Sequence, residues 1–206
     1  VFEGPDGSGK TTQMRRFKSL LESAGASVCE VREPGGTAIG EQIRQVLLHT
    51  KAEMTIRCEM LLYMASRAQL VEEKIRPALA AGQVVVADRY VQSTLAYQGA
   101  AGGVPLDDIW AVARAAVAGV MPDLVLIFDV DEDTAAGRIN PLLASATRTG
   151  GLDRIESRGK EFHRKVREGY LSHARELPKT TRVLDASKSP EEVWAQVVGV
   201  LEAWGN

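Results

Sequence analysis

Short apolar runs alternate with longer stretches of helical period along this 206-residue chain. The runs at 1–3, 27–31, 83–87, 124–128 and 182–184 are mostly apolar and show little polar alternation. That is the signature of strands covered on both faces. Between them, 10–24, 37–48, 55–81, 106–118, 151–176 and 190–204 carry apolar residues at helical spacing. The alternation predicts an α/β protein, a doubly wound five-stranded parallel sheet with helices on both faces, in a single domain over 1–206. Sheets of this kind bind ligands beyond the carboxyl ends of their strands. Chemistry-bearing residues are therefore expected just after each strand. One stretch, 139–150 (INPLLASATRTG), has no clear period and is expected to form a mobile lid, with a plain surface loop as the alternative.

Composition narrows the partners. The formal net charge is −2 and the sequence pI is about 6.0. A protein that grips a long polyanion needs a basic excess, so a nucleic-acid polymer is not expected. A small phosphorylated ligand needs only a few local cations. Cys29 and Cys58 fit neither a metal spacing nor a disulfide framework and read as reduced thiols. No apolar run approaches the ~20 residues of a membrane span. The opening Val1-Phe2-Glu3 shows no leader pattern and enters a motif almost at once. The first strand is thus expected to begin before Val1, and the expected location is the cytoplasm.

That motif is Gly4-Pro5-Asp6-Gly7-Ser8-Gly9-Lys10-Thr11, followed by Thr12 and an amphipathic helix. It matches G-x-x-x-x-G-K-[ST], the phosphate-binding P-loop. Glycines let successive backbone N–H groups point inward as an anion nest, and the helix N-terminus adds to the attraction. Lys10 can reach the β- and γ-phosphates, and the Thr11 hydroxyl can ligate Mg²⁺. A nucleoside triphosphate is the expected ligand. The Asn-Lys-x-Asp element of guanine-reading GTPases is missing, because Asn140 precedes Pro141 and Asn206 ends the chain.

The third strand ends at Asp88-Arg89-Tyr90. An acid there can hold Mg²⁺ directly or through water, and a guanidinium can offset charge on a phosphoryl group in transfer. The alternative is a surface ion pair. Four segments in register now resemble a family. Phe2 to Gln13, Arg32-Glu33-Pro34-Gly35-Gly36-Thr37, Asp88-Arg89-Tyr90 with Ser93 and Ala96-Tyr97-Gln98-Gly99, and Leu152-Asp153-Arg154-Ile155-Glu156 are similar to bacterial thymidylate kinases. The resemblance spans essentially the whole chain.

It implies a P-loop nucleoside monophosphate kinase that phosphorylates dTMP to dTDP with ATP and Mg²⁺. It further implies that Asp6 accepts a hydrogen bond from the sugar 3′-hydroxyl and that Tyr97 crowds the 2′ carbon. Tyr63 and Arg67, one helical turn apart, would recognise thymine, with Thr94 and Gln98 on the base edge. Arg44 and Arg89 would hold the acceptor phosphate beneath the Glu33–Pro34 loop, whose peptide bond is a candidate for the cis form. Bland alternatives stand beside these roles: Tyr63 as core, Arg44 as a solvated helix charge. In one subtype of the family an Arg lies inside the P-loop, where this chain has Gly7. The other subtype supplies that charge from the lid, here Arg148 or Arg154. Family likeness also implies a homodimer formed by helices around 55–81, with Met60, Leu61, Met64 and Leu70 as the surplus apolar residues; ordinary internal packing is the alternative.

Overall fold

The computed structural model describes residues 1–144 and 153–204, with side chains for all of these except 140–144. Strands β1 (Phe2–Glu3), β2 (Val28–Arg32), β3 (Val84–Asp88), β4 (Val125–Asp129) and β5 (Thr181–Asp185) form one sheet in the order β2-β3-β1-β4-β5. Every pairing is parallel. From the central β1 the chain runs to the edge strand β2, returns to β3 beside β1, and then crosses to β4 and β5 on the other side. The loop after β1 therefore lies at the switch point where α/β sheets open a crevice. Register brings Arg32 opposite Asp88 and Asp129 opposite Asp185, so charged residues collect along one edge.

The helices are α1 (Lys10–Ser23), α2 (Ala38–His49), α3 (Ile56–Leu70), α4 (Arg76–Ala80), α5 (Val91–Thr94), α6 (Leu106–Val117), α7 (Glu132–Ala144), α8 (Lys160–Glu176) and α9 (Pro190–Trp204). A wide π turn, Val71–Ile75, joins α3 to α4, and another, Leu95–Ala101, prolongs α5. Alternate residues of β4 face opposite layers, as the twofold period of a strand requires. Leu126 and Phe128 pack with Met14 of α1 and Val193 and Val197 of α9. Val125 and Ile127 pack with Val166 and Tyr170 of α8. Both faces are covered, which is why the strand shows no polar alternation. The doubly wound sheet is as expected.

Three helical boundaries differ from expectation. Helix α8 begins at Lys160 rather than 151, because the Asp153 carboxylate accepts from Ile155 N and Glu156 N at 2.8 Å and folds 153–158 into a turn. Helix α7 carries residues 139–144, expected to be aperiodic. Asp131 caps it through Thr134 N at 2.9 Å, and Glu132 and Asp133 sit at the positive end of its dipole. Residues 145–152, including Arg148, lie outside the described residues. The helix over 91–101 was not anticipated. Residues 91–99 are buried on every side, so no polar face marks it in the sequence.

Of the apolar residues on α3, Met60, Met64 and Leu70 belong to an internal cluster with Ile109 and Ala113 of α6, while Leu61 stays exposed. Helix α8 comes closest to the 95–101 segment at Gly169. A Cβ there would sit 2.6 Å from Ala100 Cβ and 3.1 Å from Ala96 Cα. Gly169→Val should therefore destabilise the chain by about 1–3 kcal/mol through overpacking. Urea unfolding checks it: the midpoint should fall at constant m-value, and an unmoved midpoint would refute the close packing.

Candidate active site

The loop from Gly4 to Gly9 leaves β1 and enters α1 through backbone that favours glycine: φ is +135° at Gly4, +79° at Gly7 and +84° at Gly9. At Gly4 a side chain would also collide with the Phe128 carbonyl, 2.6 Å from an added Cβ. Gly7 lies against α7, where a Cβ would meet the Ala135 carbonyl at 2.5 Å. An Arg at this position has no room, consistent with a chain that places its cations elsewhere. Gly9 caps α1, with Thr12 and Gln13 donating to its carbonyl. Ser8 is buried and Thr11 and Thr12 are exposed at the first turn. Buried Lys10 folds back so that Nζ donates to Pro5 O at 3.2 Å. Burial, reinforced by Arg89, pulls the Lys10 ammonium below its ordinary pKa despite Asp6 and Asp88 nearby. A polyanion in the loop would reverse that pull.

Next to the loop opens a cleft of about 180 Å³. It is lined by Asp6, Lys10, Thr11, Asp88 and Arg89, by Glu33, Pro34 and Arg44, and by Tyr63, Ser93, Thr94, Tyr97 and Gln98. Residues far apart in sequence thus converge where the resemblance implied. Arg89 adopts φ +71°, uncommon for a non-glycine residue and costing of order 1–3 kcal/mol. Its guanidinium donates to Asp6 Oδ1 at 2.7 Å, Tyr170 Oη at 3.1 Å and Ser93 Oγ at 3.2 Å, and lies 5.3 Å over the Tyr97 ring. Burial alone would raise the Asp6 carboxyl, but Arg89 and Lys10 outweigh it and hold the pKa down to about 2. Asp6 is a fixed anion at neutral pH.

Glu3 supports this arrangement from beneath, a role not anticipated from the sequence. Fully buried, its carboxylate accepts from Tyr90 N and Ser93 Oγ at 2.7 Å, Tyr170 Oη at 2.9 Å and Ser93 N at 3.2 Å. Two polar atoms on the cleft remain without partners: the Tyr97 hydroxyl and Asp88 Oδ1. Burial also raises the Tyr97 and Tyr63 hydroxyls above their ordinary pKa, so both are neutral donors. The Glu33–Pro34 bond is cis, and Pro34 O accepts from Arg44 Nη1 at 2.9 Å.

Two expected site residues sit elsewhere. Arg67 does not line the cleft; it is buried behind it, bidentate on Glu33 at 2.5–3.0 Å and donating to Tyr90 O and Thr94 Oγ1. Burial pushes the Glu33 carboxyl up to about 7 even with this guanidinium against it. Arg154 is bound to Leu47 O and paired with Glu59 at 2.6 Å, away from the cleft. The cleft instead recruits Arg32, Leu48, Asp153 and Ile155. Only the family-like segment at 152–156 had signalled the last two. Arg138 on α7 donates to Ala186 O at 2.8 Å and Ser187 O at 3.2 Å, joining α7 to the loop after β5. Among the described residues no cluster of three or more His, Cys, Asp and Glu could hold a metal, and no helix is long and apolar enough to cross a membrane.

A parallel five-stranded sheet, a P-loop at its switch point and an adjoining cleft of cations and aromatics define a P-loop nucleotide-binding protein with a second ligand pocket. The thymidylate kinase family model matches residues 2–197. A thymidylate kinase from Pelotomaculum thermopropionicum is 46% identical over 204 residues, covering 98% of this chain and 91% of that protein. One from Solidesulfovibrio magneticus is 45% identical, covering 98% and 97%; one from Deinococcus radiodurans is 42% identical, covering 100% and 97%. The chain belongs to the thymidylate kinase family.

The Asp6 environment sets an acid limit. Its folded pKa lies below the unfolded value near 3.8, so the Asp6–Arg89 contact contributes its stability above that pH and loses it as pH falls toward 2. Asp6→Asn should flatten the loss of stability between about pH 4 and 2, as followed by thermal unfolding across that window. An unchanged slope would show that Asp6 carries no depressed pKa.

Proposed function

We propose that the chain transfers the γ-phosphoryl group of ATP to dTMP, giving ADP and dTDP. The observation that carries it is the placement of Asp6. A loop used only for a triphosphate has no need of an acid, yet this one turns its carboxylate into the neighbouring cleft, fixed by Arg89 at 2.7 Å. There it can accept from a sugar 3′-hydroxyl. The Tyr97 ring occupies the space a 2′-hydroxyl would need, and Tyr63 offers a face for the base. Arg44 and Arg89 line the same cleft and would flank the acceptor phosphate.

An oxygen of that phosphate attacks the γ-phosphorus in line while the bond to the β–γ bridging oxygen breaks, and ADP leaves. No covalent enzyme intermediate is needed and no strong general base. Lys10 and Arg89 face charge that grows on the transferring group, stabilising it more than the ground state. The fit for Mg²⁺ is good: among the described residues Asp88 Oδ1 has no hydrogen-bond partner, and Thr11 lines the same cleft. These residues would hold the ion beside the ATP phosphates, where it would supply neutralisation of phosphate charge. Arg148, expected to reach in from a lid over 139–150, belongs to the same proposal, as does Arg154 if it leaves Glu59 when nucleotides bind. Exposed Leu61 on α3 and Val46 on α2 support the homodimer implied by resemblance. The proposed setting is the cytoplasm.

The test is ADP release from ATP and Mg²⁺ with each deoxy- and ribonucleoside monophosphate in turn. Release with dTMP well above all others supports the reading. Release with another monophosphate would keep the phosphotransferase and discard the acceptor pocket. Lys10→Ala should lower transfer by at least about a thousandfold while far-UV circular dichroism and unfolding midpoint stay near those of the parent; near-parental turnover would remove Lys10 from the mechanism.

A further inference from the structure

Helix α3 carries a buried acid that the reaction does not use. Glu59 lies one turn before Tyr63, its side chain sealed from solvent. Oε2 accepts from Arg158 Nη2 at 2.5 Å and is ion-paired with Arg154 Nη2 at 2.6 Å. Oε1 takes Gln98 Nε2 at 2.7 Å. Both guanidiniums come from the turn at 153–158, whereas Gln98 is part of the π turn that lines the cleft. Glu59 therefore joins the wall of the acceptor pocket to the segment that precedes α8.

The chemistry of these partners leaves Gln98 one orientation. A carboxylate clamped by two guanidiniums offers lone pairs and no proton. A flipped amide would set its carbonyl oxygen against Glu59, acceptor against acceptor, in a site no water reaches. With one N–H of its NH₂ group held by Glu59, the amide cannot flip, and the acceptor it sets on the side away from Glu59 is Oε1.

We propose that Glu59 is a positioning residue for base specificity: it fixes the polarity of the Gln98 amide so that the pocket accepts a pyrimidine bearing N3–H and rejects one with a lone pair at N3. Thymine and uracil have that proton; cytosine does not. The inference rests on the acceptor pocket proposed above and assigns the source of its discrimination. A buried group left facing a like group is among the strongest specificity devices a pocket has, and a fixed acceptor meeting the cytosine N3 lone pair is such a case. Tyr63 and Tyr97 cannot make this distinction, since the face of cytosine stacks as well as that of uracil.

The test compares dUMP and dCMP, which differ only at the N3–C4 edge, as competitors of dTMP phosphorylation. The readout is the ratio of their inhibition constants. In Glu59→Gln the new amide can donate to Gln98 Oε1, so Gln98 is free to turn its NH₂ toward the cleft. The dCMP-to-dUMP ratio should fall about tenfold or more. Arg158→Met removes one ion pair and should lower the melting temperature while leaving that ratio intact. An unchanged ratio in Glu59→Gln, or an equal fall in Arg158→Met, overturns the assignment. A measurement on the parent chain settles the case in which Glu59→Gln does not fold. By ¹⁵N NMR the Gln98 side-chain NH₂ should be protected from solvent exchange without nucleotide, and stay so when dTMP binds. Rapid exchange, or protection that appears only with dTMP, overturns it equally. Turnover of dTMP by the parent with an unmoved ratio sinks the Glu59 role alone, whereas no turnover of dTMP sinks the acceptor pocket itself.

Discussion

The buried carboxylate of Glu3 is the constraint on which the site depends. It ends β1, the central strand, and is fully enclosed. A buried charge is tolerated only when its lone pairs are satisfied, and Glu3 meets that demand with backbone N–H groups and hydroxyls rather than a cation. Its partners Tyr90 N, Ser93 N, Ser93 Oγ and Tyr170 Oη come from the start of α5 and from α8. The same acid therefore caps the helix that carries Thr94, Tyr97 and Gln98 and locks α8 against it. Between β3 and that capped helix the chain has two residues in which to turn, Arg89 and the N-cap Tyr90. The left-handed backbone of Arg89 follows from the fit of Glu3 to the helix end, and its N–H reaches back to Phe2 O at 3.0 Å. The strain is held where the guanidinium meets Asp6 in the cleft, and functional sites are the common location for such strain.

A second layer of charge organises the cleft by opposition. Asp6 and Arg89 hold one another at 2.7 Å; Glu33 and Arg67 do the same behind the wall. The two pairs differ in access. Asp6 remains open enough to meet a ligand, whereas Arg67 and Glu33 are almost wholly enclosed. Pairs of the buried kind contribute less to stability than to geometry, because desolvation offsets much of the Coulomb gain. Here the geometry is the path of the 33–37 loop. Glu33 N donates to Asp88 O and Gly35 N to Ser66 Oγ, while Thr37 caps α2 by accepting from Gly40 N. The loop that presents Pro34 to the cleft, with Arg44 of α2 bonded to Pro34 O, is thereby tied to β3, α3 and α2 together.

Legibility followed burial. The strands were readable chiefly because β3 and β4 are runs of apolar residues without polar alternation, and the glycines at 4, 7 and 9 occupy backbone that only glycine favours. The residues of the cleft were readable as motifs, since Asp6, Lys10, Asp88, Arg89 and Tyr97 stand at short, recognisable spacings. What could not be read was everything that depends on long-range pairing of polar groups. Glu3 is separated from Tyr170 by 167 positions and Arg67 from Glu33 by 34. No periodicity links them. The helix over 91–101 escaped for a related reason: Gln92, Ser93, Thr94 and Gln98 are polar yet buried, so the polar residues that ordinarily mark a solvent face lie inside. Asp153 misled in the opposite sense, its carboxylate closing a turn where the apolar spacing alone read as helix.

Those buried polar residues also bear on how one loop architecture selects a substrate. A P-loop binds phosphate through backbone N–H groups and is indifferent to what else the ligand carries. Selection has to come from groups whose hydrogen-bonding polarity cannot adapt. Glu3 and Glu59 sit behind the cleft and Glu33 in its lining, and each fixes a neighbour: Ser93 and Tyr170, Gln98, and Arg67. The residues that line the cleft are thus backed by carboxylates that solvent does not reach. Rotating any one of them would strand a buried acceptor, at about 1–3 kcal/mol for a neutral partner and more for a charged one. A solvated wall would reorient to suit any base at little cost. A wall backed by sealed acids cannot, and its rigidity is what converts a general phosphate site into a selective one.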